Sequence, residues 1–224
     1  VSFSLIKKLK LDSRENLENA NNIKSNNIKQ WTRSEVIKDY RFYIVSLNML
    51  SMPSIATGVF IYQSFIISSK NWGPYIMAQS FMAYSLLSVI TLSISGFLID
   101  KYTSRKLLLY MNIPLFLAAI VLYLFDNPFS SFIFMGLIGV TNGFANVLGS
   151  STWAEIYGVR YIGAIKALTS GLMVFATATG TAVFGILIDS GYTINSIALF
   201  SMTYIAIIVM LLFFFRKKIG PIYL

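Results

Sequence analysis

Gly96-Phe97-Leu98-Ile99-Asp100 closes one long apolar stretch, and Gly185-Ile186-Leu187-Ile188-Asp189 closes another, three apolar stretches further along. An odd number of membrane crossings between the copies sets them on opposite sides of a bilayer. Two copies so placed imply an inverted repeat of three helices plus three. Gly and Asp are common where a helix leaves a membrane, so the phrase gains its weight from charge placement, which leads to the same topology.

The 224 residues are 56% hydrophobic and only 12% charged, with a mean hydropathy of +0.68. A water-soluble core needs far less apolar content, so the excess must face lipid. Uncharged apolar windows of roughly 20 residues, enough to cross the hydrocarbon, recur along the chain. They span 42–69, 74–99, 107–125, 129–152, 167–188 and 195–215. The expected fold is therefore an all-α integral membrane bundle of six transmembrane helices.

The net charge of +9 is distributed unevenly. Lys7, Lys8, Lys10, Arg14, Lys24, Lys29, Arg33, Lys38 and Arg41 precede the first span. Lys101, Arg105 and Lys106 follow the second, Arg160 and Lys166 the fourth, and Arg216, Lys217 and Lys218 the sixth. Only Lys70 falls in a loop of the other set. Basic loops stay in the cytosol, so both termini are expected to be cytoplasmic. Nucleic acid is excluded as a partner, because base-reading groups would need soluble structure that this chain lacks. With no Cys and no His, disulfides, Cys/His metal sites and Ser-His-Asp or Cys-His catalysis are excluded, and no cofactor is implied. A start at Val1 without a signal-peptide pattern reads as a piece of a longer chain or a processed product.

Residues 1–41 differ from the rest. Asn16, Asn19, Asn21, Asn22, Asn26 and Asn27 make a polar, linker-like stretch, while residues 1–11 interleave apolar and basic residues, which suits a solvated linker first, or else a surface-lying segment or the end of a preceding membrane helix. Thr32-Arg33-Ser34-Glu35 fits a capping box opening a helix that leads into the first span. Trp31, Tyr40, Tyr43, Trp72, Tyr75, Trp153, Tyr157 and Tyr161 fall at expected membrane interfaces. The division is thus 1–41 as cytoplasmic loop, 42–218 as the bundle (repeats 42–125 and 129–215), and 219–224 as a cytoplasmic tail.

Gly96 and Asp100, followed by Lys101, Arg105 and Lys106, resemble the signature loop of the major facilitator superfamily. Gly96 would let a neighbouring helix approach closely, and Asp100 would pair with a base or cap a helix. Thr103 and Ser104 depart from the signature, which usually has Gly and a basic residue there; the copy in the second half of such transporters is commonly degenerate. The stretch from Trp153 through Glu155, Tyr157 and Arg160 to Gly163 is similar to the second half of oxalate/formate-antiporter-like and monocarboxylate-transporter-like members. The resemblance covers about residues 30–218 and implies helices seven to twelve of a twelve-helix fold, with 1–41 as the central loop. It implies Glu155 and Arg160 as partners in a gating or structural ion pair.

In that fold the substrate site lies near mid-membrane, lined by the first helix of each repeat. Asn48, Ser51 and Tyr62, with Gln63 beside them, are the candidates in the first span; Asn142 and Asn146, four apart, are those in the fourth. Buried amides either line a wet cavity or bond across helices, and both roles stay open for the Asn pair. Gln79, Tyr84, Thr177 and Thr179 are the polar offerings of the second and fifth spans. No Asp, Glu, Lys or Arg falls inside the six spans, so no proton-coupling group is evident. The implied function is secondary transport of a small metabolite (a monocarboxylate or other organic anion) by alternating access, without enzymatic chemistry. The chain would be the C-terminal half, working in the plasma (inner) membrane with lipid, a small-molecule substrate and an N-terminal six-helix half, fused or separate, as partners. The alternative is a half-size or remnant protein that acts only in assembly.

Overall fold

The computed structural model describes residues 28–223; the expectations for residues 1–27 lie outside the described residues. Among the described residues nine helical segments form: α1 (Arg33–Lys38), α2 (Tyr40–Ile61), α3 (Gln63–Lys70), α4 (Ile76–Tyr102), α5 (Ser104–Leu108), α6 (Ile113–Leu124), α7 (Ser130–Tyr157), α8 (Ile162–Asp189) and α9 (Ile194–Phe215). Among the described residues six helices are long and apolar enough to cross a membrane, α5 and α6 counting as one from Ser104 to Leu124. In lipid a segment must satisfy its backbone internally, which is why these runs are helical.

Helix α1 opens as its sequence indicates. The Glu35 carboxylate accepts hydrogen bonds from the Thr32 amide and hydroxyl, both at 2.8 Å. Those bonds and Lys29 hold the carboxyl down at about 2, well below the usual carboxylate range.

The first and third spans are each interrupted where an unbroken helix was expected. Helix α2 gives way at Tyr62 (φ −97°, ψ 23°), whose hydroxyl packs against Gly185 of α8. In the third span Pro114 has no amide to return to Tyr110, and it restricts Ile113 before it. The chain therefore turns between α5 and α6, and Pro114 sits in the first turn of α6, where a missing amide costs nothing.

Helices α7 and α8 have 28 residues each, or about 42 Å, longer than the ~30 Å hydrocarbon. Both outrun the windows read from sequence. Helix α8 begins five residues before position 167, so Lys166 is helical rather than in a loop.

Helix pairing has a simple order. The most extensive contacts are α4 with α7, α2 with α8, α7 with α6, α6 with α9, and α9 with α2. Exchange the first, second and third spans for the fourth, fifth and sixth, and four of these pairs map onto one another while α6 with α9 maps onto itself. That is the contact pattern of an inverted repeat. Glycine sets the close approaches. A Cβ on Gly139 would strike the Tyr84 backbone, one on Gly143 would meet the Ser88 carbonyl at 2.7 Å, and one on Gly180 would strike Ser54.

The two Gly…Asp phrases end α4 and α8 at opposite ends of the bundle. One end, here the basic end, brings together Trp31, Arg41, Arg105, Tyr157 and Gly220; the other gathers Lys70, Asp126 and Asn195. The core likewise forms two apolar clusters, one around Trp153 and Tyr157, the other around Phe134, Met135 and Ile138. Trp31, Trp72, Trp153 and Tyr157 are buried, not turned to an interface; Tyr40, Tyr43, Tyr75 and Tyr161 are exposed. Trp72 spends its indole N–H on the Asp126 carbonyl at 2.8 Å, and Tyr157 stacks on Trp153.

Candidate functional site

A recess of ≈220 Å³ opens between α2, α7 and α8. Its polar wall is made by Ser46, Asn146, Ser150, Lys166, Thr169 and Ser170, with Trp153 and Met49 among the apolar lining. Ser46 and Lys166 are near the starts of their helices and Trp153 near the end of its own, so the recess lies toward the basic end rather than at the midpoint. The Ser46 hydroxyl is buried with no hydrogen-bond partner among the described residues, a condition that costs about 1–3 kcal/mol. Lys166 brings a positive charge that the sequence-derived windows left outside the membrane.

The expected cavity residues divide among several places. Asn146 lines the recess. Its amide donates to the Asn142 carbonyl at 2.9 Å, one turn back. Asn142 crosses to α4 and donates to Ser88 Oγ at 2.9 Å. The stacked pair thus does both jobs, one amide bonding across helices and the other facing open space.

Asn48 is fully buried on the far side of α2. It donates to the Leu108 carbonyl at 3.2 Å, while Asn112 donates to the Asn48 carbonyl at 2.7 Å and to its Oδ1 at 3.0 Å. Ser51 is also buried, donating to the Leu47 carbonyl at 3.0 Å. Tyr62 lies on α8, Gln63 is half-buried at the start of α3, and Gln79 is exposed on α4. Thr177 returns its hydroxyl to the Val174 carbonyl at 2.7 Å. None of these six lines the recess.

The signature-loop residues also sort differently from expectation. Glu155 pairs with Arg105 (Nε to Oε1, 2.5 Å), not with Arg160. Its other oxygen accepts the Ser104 amide at 3.0 Å and the Ser104 hydroxyl, which caps α5. Arg160 is exposed; its backbone amide donates to Gln30 and its guanidinium lies over Tyr161. Asp100 and Lys106 are exposed and in no ion pair among the described residues. Gly96 has nothing within 4 Å of where a Cβ would stand, so no helix of this bundle uses its close-approach surface.

Two clusters escaped the sequence reading. Asp39 and Arg41 form a buried pair at 2.7 Å, joined by the Tyr157 hydroxyl at 3.1 Å and the Gly220 carbonyl at 2.7 Å. At the far end Lys70, its side chain 1% exposed, donates to Asp126 at 2.6 Å and Asn195 at 3.0 Å. Lone opposite charges in otherwise uncharged short loops were the available signal for the second. The i, i+2 spacing of Asp39 and Arg41 at a helix start was the signal for the first.

Six apolar helices, packed as an inverted repeat and tied by ion pairs at both ends, define the class as helical integral membrane protein. The family model for the Major Facilitator Superfamily matches residues 26–221, and the chain belongs to that superfamily. Its six spans are consistent with one half of the superfamily fold. A comparison with curated proteins found no match.

Proposed function

We propose that this chain is the C-terminal half of a twelve-helix secondary transporter that moves a small organic anion, a monocarboxylate among the candidates, by alternating access. The recess carries this reading, because Lys166 lines it together with the hydroxyl-bearing Ser150, Thr169 and Ser170. A carboxylate there gains the Lys166 charge and hydroxyl donors at once, and such charge-assisted bonds are about twice as strong as neutral ones. A second six-helix half is supported by glycines with nothing against them. Gly96, Gly149, Gly163 and Gly171 are open, whereas Gly139, Gly143 and Gly180 are filled from within. Helices α4 and α8 are also the least buried of the six. Rocking of the two halves would expose the recess to each side in turn, with the recess wall moving as one body.

The test is uptake of radiolabelled monocarboxylates and dicarboxylates into proteoliposomes holding the intact transporter. Lys166→Gln is expected to lower anion uptake about tenfold or more, the worth of one charge-assisted contact, with Lys166→Arg retaining part of it. Equal uptake by Lys166→Gln and the parent would overturn the anion reading.

A further inference from the structure

A larger cavity, ≈650 Å³, lies apart from the recess, where the end of α4, α5 and the chain after α9 meet at the basic end. Arg105, Lys106, Arg216 and Lys217 line it, and none of the described lining residues carries a carboxylate. Among the described residues the acid paired with this group is Glu155, which is occupied with Arg105. Lys106, Arg216 and Lys217 are exposed and in no ion pair among the described residues, so the cavity holds three uncompensated cations.

The rest of the lining is of another kind. Leu98, Leu107 and Leu109 give apolar walls, and Tyr102 and Tyr110, 44% and 61% exposed, stand beside them. The Arg216 guanidinium lies 4.2 Å over the Phe213 ring, which holds it against apolar surface. Helices α4 and α9 both end here, which sets the cations at headgroup level; Leu98, Leu107 and Leu109 are half-buried, the last two resting on the apolar cluster around Trp153 and Tyr157.

We propose that this cavity is a binding site for an acidic phospholipid. The phosphodiester sits among Lys106, Arg216 and Lys217, the tyrosine hydroxyls supply hydrogen bonds to the headgroup, and the acyl chains run down the leucine walls. A free anion would use the cations and leave the apolar walls without purpose; a zwitterionic lipid would bring its own ammonium into a cluster of like charge. Neither fits the whole lining. The cavity does not share residues with the recess, so this inference is independent of the transported substrate.

The experiment is native mass spectrometry of the intact protein released from micelles containing equal amounts of phosphatidylglycerol and phosphatidylcholine. Preferential retention of phosphatidylglycerol is expected. Lys106→Gln/Arg216→Gln/Lys217→Gln should weaken it by about fivefold per cation, roughly a hundredfold in all. Lys101→Gln/Lys218→Gln removes two charges from the same end outside the cavity and should leave retention unchanged. Matching thermal midpoints for the variants and the parent establish that folding is intact. Equal retention of the two lipids, an equal loss in the control variant, or displacement by millimolar inorganic phosphate would each overturn the assignment.

Discussion

Thr103 stands between α4 and α5 with φ +69° and ψ 145°, a conformation that glycine adopts freely and a β-branched residue does not. It is also the position where the signature loop usually carries Gly, which gives that preference a physical basis. Thr103→Gly relieves strain on the order of 1–3 kcal/mol and costs roughly 0.5–1 kcal/mol in chain entropy. A net gain of about 1 kcal/mol is therefore expected, read as a higher thermal midpoint in detergent. The opposite sign is expected at the Asp39–Arg41 pair, where both side chains are under 10% exposed. Asp39→Asn leaves the Arg41 charge buried without its partner, and a loss of about 3–5 kcal/mol follows. The exposed Lys38→Gln, measured beside it, should change the midpoint little.

At the scale of the helices, backbone contact at glycine decides the packing. The α4–α7 crossing brings the Tyr84 backbone onto Gly139, and no side-chain adjustment makes room for a Cβ there. Gly139→Val is expected to cost more than 3 kcal/mol and to reduce the folded yield sharply. Gly149→Val, on the same helix with nothing within 4 Å, should leave the bundle intact. Comparing the two by size-exclusion chromatography separates loss of helix packing from a general intolerance of valine. Gly136, Gly139, Gly143 and Gly149 of the fourth span look alike in sequence, as positions for close packing or bending, yet the first three meet a neighbouring helix and Gly149 meets none. The rotation of each helix is no more legible there. Asn48 and Asn146 look alike in sequence, yet one is locked against Asn112 and the other faces the recess.

For the molecule as a whole, the two ends are built on one plan. The fourth span ends in Glu155, which holds the turn between the second and third spans. The first ends in Lys70, which holds Asn195 at the start of the sixth, just after the turn from the fifth. These links exchange under the same operation that relates the helix pairs, so each end is tied by equivalent contacts of different chemistry. The basic end is expected to face the cytosol. These 224 residues hold no cysteine, so cysteines introduced into them report their orientation in intact cells. Tyr192→Cys, in an exposed turn at the far end, should react with a membrane-impermeant maleimide, and Arg160→Cys should react only after the cells are opened. Labelling of Arg160→Cys in intact cells would invert the orientation.

The number of spans, their order and the opposed Gly…Asp phrases were determined by the sequence alone. They rest on apolar length and the spacing of repeated residues, and lipid forces any such run to satisfy its own backbone as a helix. The expected orientation comes from charge placement in the same linear way. Only the tertiary structure decided that Glu155 takes Arg105 and not Arg160, that Asn48 belongs to the core, and that Lys166 stands on the recess wall. Helices that are apolar nearly all round carry no stripe to announce which face turns inward. Their rotation is set by where a neighbouring backbone finds a glycine, and that is known only once the helices are packed.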